Sequence, residues 1–561
     1  MGVPVLSAIE QTLPGVARRT LRWVDYRPEI STETLAFAAS VFFSLFSNAA
    51  FWRAVAATGT LHGSVGGLTA ASLFIAITAL NMILLCVLLN RWTAKPVLTV
   101  LLLVTAVAAH FMTQYTIYFD ADMIRNILHT DGKESHELIS SGLIPPLLLY
   151  GVLPALVVWR LRLRRRPPGR ALLIRSLCLV GAAVIAAGAV LASFQNISGL
   201  MRNHKEIRFL IAPGNYLVSL SRVALDSHAG KDRPRMPIGT QAKVVGRAAG
   251  AKPRLLVLVV GETVRAQNWG LNGYARQTTP ELAKIAPINF PDMTACGSAT
   301  EVSVPCMFSP YGRAHYDKDL IEHSESVLHV FEHAGIKTLW RDNQTGCKGV
   351  CEGLAFESYE HGTDPRWCTG EGCLDNVMLQ GLAEEVRRQP GDVVVVLHQL
   401  GNHGPSYYKR YPADLRRYTP TCESSELGSC SRVDIVNAYD NAILQTDAFL
   451  ARTIRFLAEQ NDRDTAMIYL SDHGESLGEN GLFLHGVPYA IAPDTQVKVP
   501  MVMWVSPGLA ADRGIDLSCM RREAKAPASQ DNLFHSMLGL MQVRTPEYDP
   551  RLDLFHACSR T

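Results

Sequence analysis

The chain has 561 residues, a formal net charge of +3, and 48% hydrophobic against 19% charged residues. That length exceeds one ordinary domain, with roughly three to four units as the prior, and so small a net charge excludes an electrostatic case for nucleic-acid binding. Eukaryote-style lipidation signals and ER-retention tails are absent.

Five long apolar runs, at 35–55, 68–89, 97–119, 143–159 and 172–194, precede residue 196, and nothing comparable follows. A helix crossing a hydrocarbon core of about 30 Å needs about 20 apolar residues, within a range of about 17–25. Each run is therefore read as a transmembrane helix. Buried helices of a soluble protein are a poor account of five such runs in succession. The first is not a cleavable signal peptide, because its apolar part is too long and no small-residue cleavage site follows. Arg18, Arg19, Arg22 and Arg27 precede the first run, and Arg91 and Lys95 lie between the second and third. Arg160, Arg162, Arg164, Arg165, Arg166 and Arg170 separate the fourth from the fifth, whereas the connection after the third carries Asp120, Asp122, Asp131, Glu134 and Glu137. The positive-inside rule puts the amino terminus in the cytoplasm and, after five crossings, the carboxyl half outside.

Within the acidic connection, Asn126, Thr130 and Glu134 recur every fourth residue and share one face if residues 121–134 are helical. A solvated loop face is the plain alternative. Residues 201–204 and 207–220 mix apolar and basic side chains, and a Gly-, Lys- and Pro-containing stretch follows at 230–237. These read as one or two interfacial amphipathic helices and a tether, with a simple linker as the alternative. The expected division is 1–195 as a five-helix transmembrane domain, 196–250 as a bridge, and 251–561 as an outer domain.

In the outer half, short apolar runs at 255–260, 337–340, 392–399, 466–470 and 499–505 alternate with helical patterns at 325–334, 375–388, 433–460 and 532–541. Such alternation predicts an α/β domain, a mostly parallel sheet flanked by helices. Two of the twelve cysteines, Cys86 and Cys178, lie in membrane runs; the other ten lie in this half. Close spacing pairs Cys296 with Cys306, Cys347 with Cys351, Cys368 with Cys373 and Cys422 with Cys430, and elimination leaves Cys519 with Cys558. Disulfides fit an oxidising compartment, where a thiolate zinc site is a weak rival.

Four segments then end strands or open loops with metal-type ligands. The run 255–261 ends in Glu262; 466–470 leads into Ser-Asp-His-Gly-Glu-Ser at 471–476, with His485 beyond; 393–396 leads into His398 and His403; and 296–306 is a hydroxyl-rich loop with a cysteine at each end. In open α/β sheets, ligands sit outside the carboxyl ends of the strands. Zinc takes imidazole nitrogen and carboxylate oxygen, and its catalytic sites keep one position open. Glu262, Asp472 and His473 supply three such ligands, and a hydroxyl from the 296–306 loop could be a nucleophile in the fourth position. His403 and His485 would hold a second metal or the oxygens of a phosphoryl group. Taken singly, an Asp-His-Gly is a common turn, a lone histidine is more often structural, and a hydroxyl-rich loop is usually just a loop.

Val-Gly-Glu-Thr-Val-Arg-Ala-Gln (260–267), Cys-Gly-Ser-Ala-Thr with Ser-Val-Pro-Cys-Met-Phe-Ser (296–309), Asn-His-Gly-Pro-Ser-Tyr-Tyr with Arg-Tyr-Pro (402–412) and Ser-Asp-His-Gly-Glu-Ser-Leu-Gly-Glu with His-Gly (471–486) together resemble the lipid A phosphoethanolamine transferases. These are inner-membrane enzymes of Gram-negative bacteria, in the alkaline phosphatase/sulfatase-like superfamily, and they include the colistin-resistance transferases. The resemblance runs over nearly the whole chain. It implies five membrane helices, a periplasmic catalytic domain, and zinc at Glu262, Thr300, Asp472 and His473, with Thr300 the nucleophile. It implies that His403 and His485 serve a second zinc or the substrate head group, with His398 nearby, that Lys348 lies beside the ethanolamine-phosphate pocket, and that Asn126, Thr130 and Glu134 are head-group residues rather than a solvated face. Phosphatidylethanolamine is the implied donor, lipid A the implied acceptor, and a monomer in the inner membrane the implied state. Gln344 and Thr345 fall where the family varies, and Glu301 follows the nucleophile where a small or neutral residue is more usual. The rivals are the same chemistry on a core sugar or periplasmic glucan, phosphoglycerol transfer, and a sulfatase- or phosphatase-type hydrolase. A formylglycine sulfatase needs an arginine that Ser303-Val-Pro-Cys-Met lacks.

Overall fold

The computed structural model describes residues 27–129, 138–230, 234–247, 250–359, 361–369 and 372–559. The described residues up to 113, with 141–217, form one compact unit; those within 114–140, with 218 onward, form another. Arg18, Arg19, Arg22, Thr130 and Glu134 lie outside the described residues.

In the first unit four helices are long and apolar enough to cross a membrane: Val65–Leu88, Ala94–Gln114, Ser141–Arg160 and Pro168–Ala192. The first apolar run is not one straight helix. Thr32–Ser47 and Ala49–Ala57 meet at 54°, and the pair supplies a fifth crossing if taken as one span. Ser40 and Ser44 donate their hydroxyls to carbonyls one turn back, a contact that bends helices, and the turn Phe43–Ser47 widens to π geometry. Hydrocarbon cannot satisfy the backbone groups freed by such a break. Asn48 does so instead: its Nδ2 donates to Phe43 O (2.8 Å) and Ala212 O (2.9 Å), and its Oδ1 accepts from Ala212 N (2.8 Å). Along Pro168–Ala192 the large side chains of Leu172, Leu173, Leu177, Val180, Val184 and Leu191 are exposed, as side chains facing lipid must be. Basic residues are gathered by pairing: Glu29–Ile30 runs parallel to Arg162–Leu163, and Arg166 reaches Glu33 at 2.7 Å.

The second unit is built on an eight-stranded sheet. Its strands are β1 Arg254–Gly261, β2 Ile288–Thr294, β3 Lys337–Asp342, β4 Phe356–Ser358, β5 Val393–His398, β6 Asp464–Ser471, β7 Lys498–Val505 and β8 Ala528–Ser529. The spatial order is β8-β2-β7-β6-β1-β5-β3-β4, and only β7 runs against the rest. Every residue of β1, β5 and β6 is buried, because a parallel strand covered on both faces has no wet side. The expected strands are all present. β2 escapes sequence reading because Pro291 interrupts its alternation; its pairing with β7 shifts register between Val499 and Met501.

Residues 300–307, expected as loop, form the helix Thr300–Met307 with Pro305 inside it. At the end of the 230–237 stretch expected to be a tether, Met236 N donates to His323 O, and the residues after it are docked too: Gly239 N donates to Glu547, and Lys243–Val244 pairs with Val543–Arg544. Five disulfides, 296–306, 347–351, 368–373, 422–430 and 519–558, all lie in this unit.

Candidate active site

The carboxyl ends of the central parallel strands carry the candidate ligands. Glu262 follows β1, Asp472 and His473 follow β6, and His398 closes β5. Thr300 opens its helix directly across from them. Its Oγ1 donates to Glu262 Oε2 at 3.0 Å and lies 3.2 Å from His473 Nε2. His473 Nε2 is 3.4 Å from Glu262 Oε1 and 3.3 Å from Asp472 Oδ2. All four side chains are buried.

Two features fit this group to a cation. Glu262 Oε1 and Asp472 Oδ2 are buried with no hydrogen-bond partner, a costly state unless something positive lies between them. The His473 Nδ1–H donates to Gly474 O at 2.9 Å, which turns the Nε2 lone pair toward the two carboxylates, as metal-bound histidines are oriented. The electrostatics agree. Burial, and then the Glu262 charge, pushes the Asp472 carboxyl up to about 7. Burial pushes His473 down, but the charge of Asp472 and the interaction of its ring N–H with the Glu262 carboxylate outweigh it and lift the imidazole to about 10. Burial also pushes Glu262 up, yet the hydrogen bond and charge of His473 hold it well below the usual range. Two buried carboxylates facing one imidazole make a pocket that favours positive charge, which a divalent cation would supply.

A cluster of rings lies beside it. The His473 and His485 rings are 4.4 Å apart, and those of His485 and His403 are 5.6 Å apart. Glu475, fully buried, approaches His485 Nδ1 at 3.4 Å. Gly401, at φ +51°, lets the loop carrying His403 close on Glu262: a Cβ there would lie 2.9 Å from Glu262 O. His398 is held by Asp342 at 2.7 Å, and its Nε2 is buried without a partner. Burial lowers His398, but the Asp342 charge and hydrogen bond, with the charges of Glu262 and Asp472, raise it overall.

Lys348 is half-buried with its side chain 7% exposed, adopts φ +48°, and donates to Thr345 Oγ1 at 2.6 Å. Its Nζ is 3.7 Å from Glu301 Oε2. Gln344 Nε2 donates to Glu262 Oε2 at 3.1 Å. Asn126 sits half-buried on the helix Ala121–His129, whose last residue bonds Glu301: His129 Nδ1 to Glu301 Oε1 is 2.6 Å. Burial raises Glu301, but the His129 bond and the Lys348 charge bring it below its ordinary value.

Several groups that hold this geometry carry no local signal in the sequence. Gln530, fully buried, accepts from Cys296 N (2.7 Å) and donates to Ser471 O (2.9 Å) and Asp472 O (2.7 Å), so one amide clamps the nucleophile loop to the ligand strand. Asp342 and His129 are equally silent. Glu301, Gln344 and Thr345 stand out in the sequence only where it departs from the family pattern or the family varies.

Residues 254–543 match the family model described as Sulfatase, and residues 77–227 match that of Phosphoethanolamine transferase EptA/EptB. The chain is 36% identical over 546 residues to phosphoethanolamine transferase EptA of Escherichia coli strain K12, covering 95% of this chain and 98% of the relative. It is 37% identical over 495 residues to the Escherichia coli phosphatidylethanolamine transferase Mcr-1, covering 86% and 91%. The solved structure of the integral membrane protein lipooligosaccharide phosphoethanolamine transferase A from Neisseria meningitidis superposes with a TM-score of 0.92 at 35% identity, covering 95% of this chain and 100% of that one.

Proposed function

Since the chain belongs to the phosphoethanolamine transferases, with a sulfatase-family domain at its carboxyl end, we propose that it is an inner-membrane enzyme with its catalytic unit in the periplasm, moving phosphoethanolamine from phosphatidylethanolamine to a lipid A phosphate through Thr300. The observation that carries this reading is the buried convergence of Thr300, Glu262, Asp472 and His473 around two carboxylate oxygens with no other partner. Glu262, Asp472, His473 and the Thr300 hydroxyl are the donor set for zinc. When bound, zinc makes the hydroxyl easier to deprotonate and draws charge from the phosphoryl oxygens. His403 and His485 serve a second ion or the phosphoryl oxygens directly.

In the first step Thr300 Oγ1 loses its proton and bonds to phosphorus as the bond to the diacylglycerol oxygen breaks. That oxygen leaves protonated, as diacylglycerol. The histidines stabilise charge on the equatorial oxygens, and Lys348 helps to bind the phosphodiester beside them. In the second step an oxygen of the lipid A phosphate gives up its proton and bonds to the same phosphorus as the Thr300 Oγ1–phosphorus bond breaks, and Thr300 Oγ1 takes the proton. The product carries an added ammonium group, so the outer surface loses net negative charge and binds polymyxins and other cationic peptides less well.

The test is the intact mass of the full chain in detergent after incubation with phosphatidylethanolamine. The parent gains one phosphoethanolamine, Thr300→Ala gains none, and lipid A discharges the adduct. An adduct that lipid A leaves in place moves the acceptor to a core sugar or a glucan. Free phosphoethanolamine released without any acceptor makes the protein a hydrolase.

A further inference from the structure

Residues 114–129, beginning at the end of the third apolar run, belong to the catalytic unit. Tyr115 donates to Ser425 O (3.2 Å), Thr116 Oγ1 donates to Gly481 O (3.3 Å), and Asp122 pairs with Lys318 (3.0 Å). Met123 is buried with its terminal methyl against Gly486, next to His485; a Cβ on that glycine would lie 2.6 Å from it. The helix Ala121–His129 then packs against the helix that Thr300 opens. The segment is thus anchored beside His485 at one point and beside Thr300 at the other.

The second anchor is a single carboxylate. Glu301 is 8% exposed, next in sequence to Thr300, and lies in the first turn of its helix. Its Oε1 takes the His129 Nδ1–H at 2.6 Å, and its Oε2, buried and without a hydrogen bond, faces Lys348 Nζ at 3.7 Å. Lys348 is held in a left-handed backbone conformation, which is strained for an ordinary residue and persists only where surroundings enforce it. Its loop is closed by the 347–351 disulfide. One acid thus aims two cations from different parts of the chain at the residue that receives the phosphoryl group.

Resting on the transferase reading above, we propose that Glu301 is a positioning residue which, through His129 and Lys348, fixes the helix carrying Asn126 and a phosphate-binding ammonium beside Thr300 for the lipid donor. A bare carboxylate next to the nucleophile would repel a phosphodiester. Neutralised on both oxygens, it instead presents the cations. Removing it takes from Lys348 its carboxylate, leaving Thr345 Oγ1 as its partner at 2.6 Å, and takes from the helix its anchor at His129, without touching the metal ligands, so donor binding suffers before chemistry does.

The experiment uses the full chain in detergent with phosphatidylethanolamine and lipid A, comparing the parent with Glu301→Ala, His129→Ala, the double variant and Glu301→Gln. Each alanine variant is expected to raise the donor KM roughly tenfold, the scale of one charge-assisted hydrogen bond, with kcat little changed and zinc content as in the parent. The double variant is expected to be no worse than Glu301→Ala, because the pair acts as a unit. Glu301→Gln, which still accepts from His129, recovers part of the loss. Fully additive effects overturn the proposal, as does a fall in kcat that tracks lost zinc. If Glu301→Ala does not fold, His129→Ala decides the matter, since that side chain is largely exposed. A parent that transfers nothing sinks the transferase reading and this inference with it. A parent that transfers while His129→Ala leaves the donor KM unchanged sinks this inference alone.

Discussion

Gln530 and His129 show what one side chain decides in this site. Gln530 serves Cys296 N, Ser471 O and Asp472 O at once, and leaving such buried groups without a partner costs about 1–3 kcal/mol. Gln530→Ala should therefore lower the melting temperature and kcat together, both read on the full chain in detergent; an unchanged melting temperature would show that the clamp adds nothing. His129 gives a pH dependence whose sign is fixed. The hydrogen bond to Glu301 is the largest influence and raises its pKa above 6.5; burial opposes it, and among its neighbours Glu301 and Glu322 assist while Lys348 opposes. A raised histidine contributes its full attraction below 6.5 and loses it as pH rises through the raised value. The donor KM of the parent, divided by that of His129→Asn, should climb as pH rises from 6.5 through the raised value. A flat ratio would remove the charged pair from the account. Neither residue was legible in the sequence: Gln530 lies 58 positions from Asp472, and His129 falls outside the every-fourth-residue spacing that singled out Asn126, Thr130 and Glu134.

At the scale of elements, the nucleophile helix Thr300–Met307 is short, interrupted by Pro305, and cannot persist alone, since isolated helices below about 12–15 residues are marginal. It is held by the 296–306 disulfide and by the bond from Gly297 N to Ser303 Oγ, 2.9 Å. Replacing Cys296 and Cys306 by serine should cost about 2–4 kcal/mol and reduce formation of the threonine adduct while zinc content stays near that of the parent. Adduct formation at the parental rate would mean that packing against Gln530 alone holds Thr300 in place. The bent pair in the first membrane run teaches the same lesson. Its composition reads as one span, but Ser40, Ser44 and Asn48 carry hydrogen bonds that a straight helix would not use.

For the molecule as a whole, metal binding and stability are linked. An ion that binds only the folded state at a thousandfold excess over its Kd adds about 4 kcal/mol. Stripping the full chain with a chelator should lower its melting temperature and abolish adduct formation, and added zinc should restore both. Asp472→Asn should show neither loss nor recovery of melting temperature on the same treatment. A stripped parent that melts as before would argue that Glu262, Asp472 and His473 hold no structural ion.

What the sequence determined by itself was whatever depends on local pattern. Apolar run length marks the membrane spans, charge between them sets orientation, β-branched runs mark the buried parallel strands, and close cysteine spacing marks the local staples. Strand ends also exposed Glu262, Asp472 and His473, because a parallel strand buried on both faces can admit a carboxylate or imidazole only where it stops. The tertiary structure alone decided the rest: that Thr300 begins a helix rather than lying in a loop, that Asn48 seals a bend, that 114–129 joins the catalytic unit, and that Glu301 meets His129 172 residues away. These are contacts between distant segments, made when packing brings their ends together, and no local periodicity encodes them.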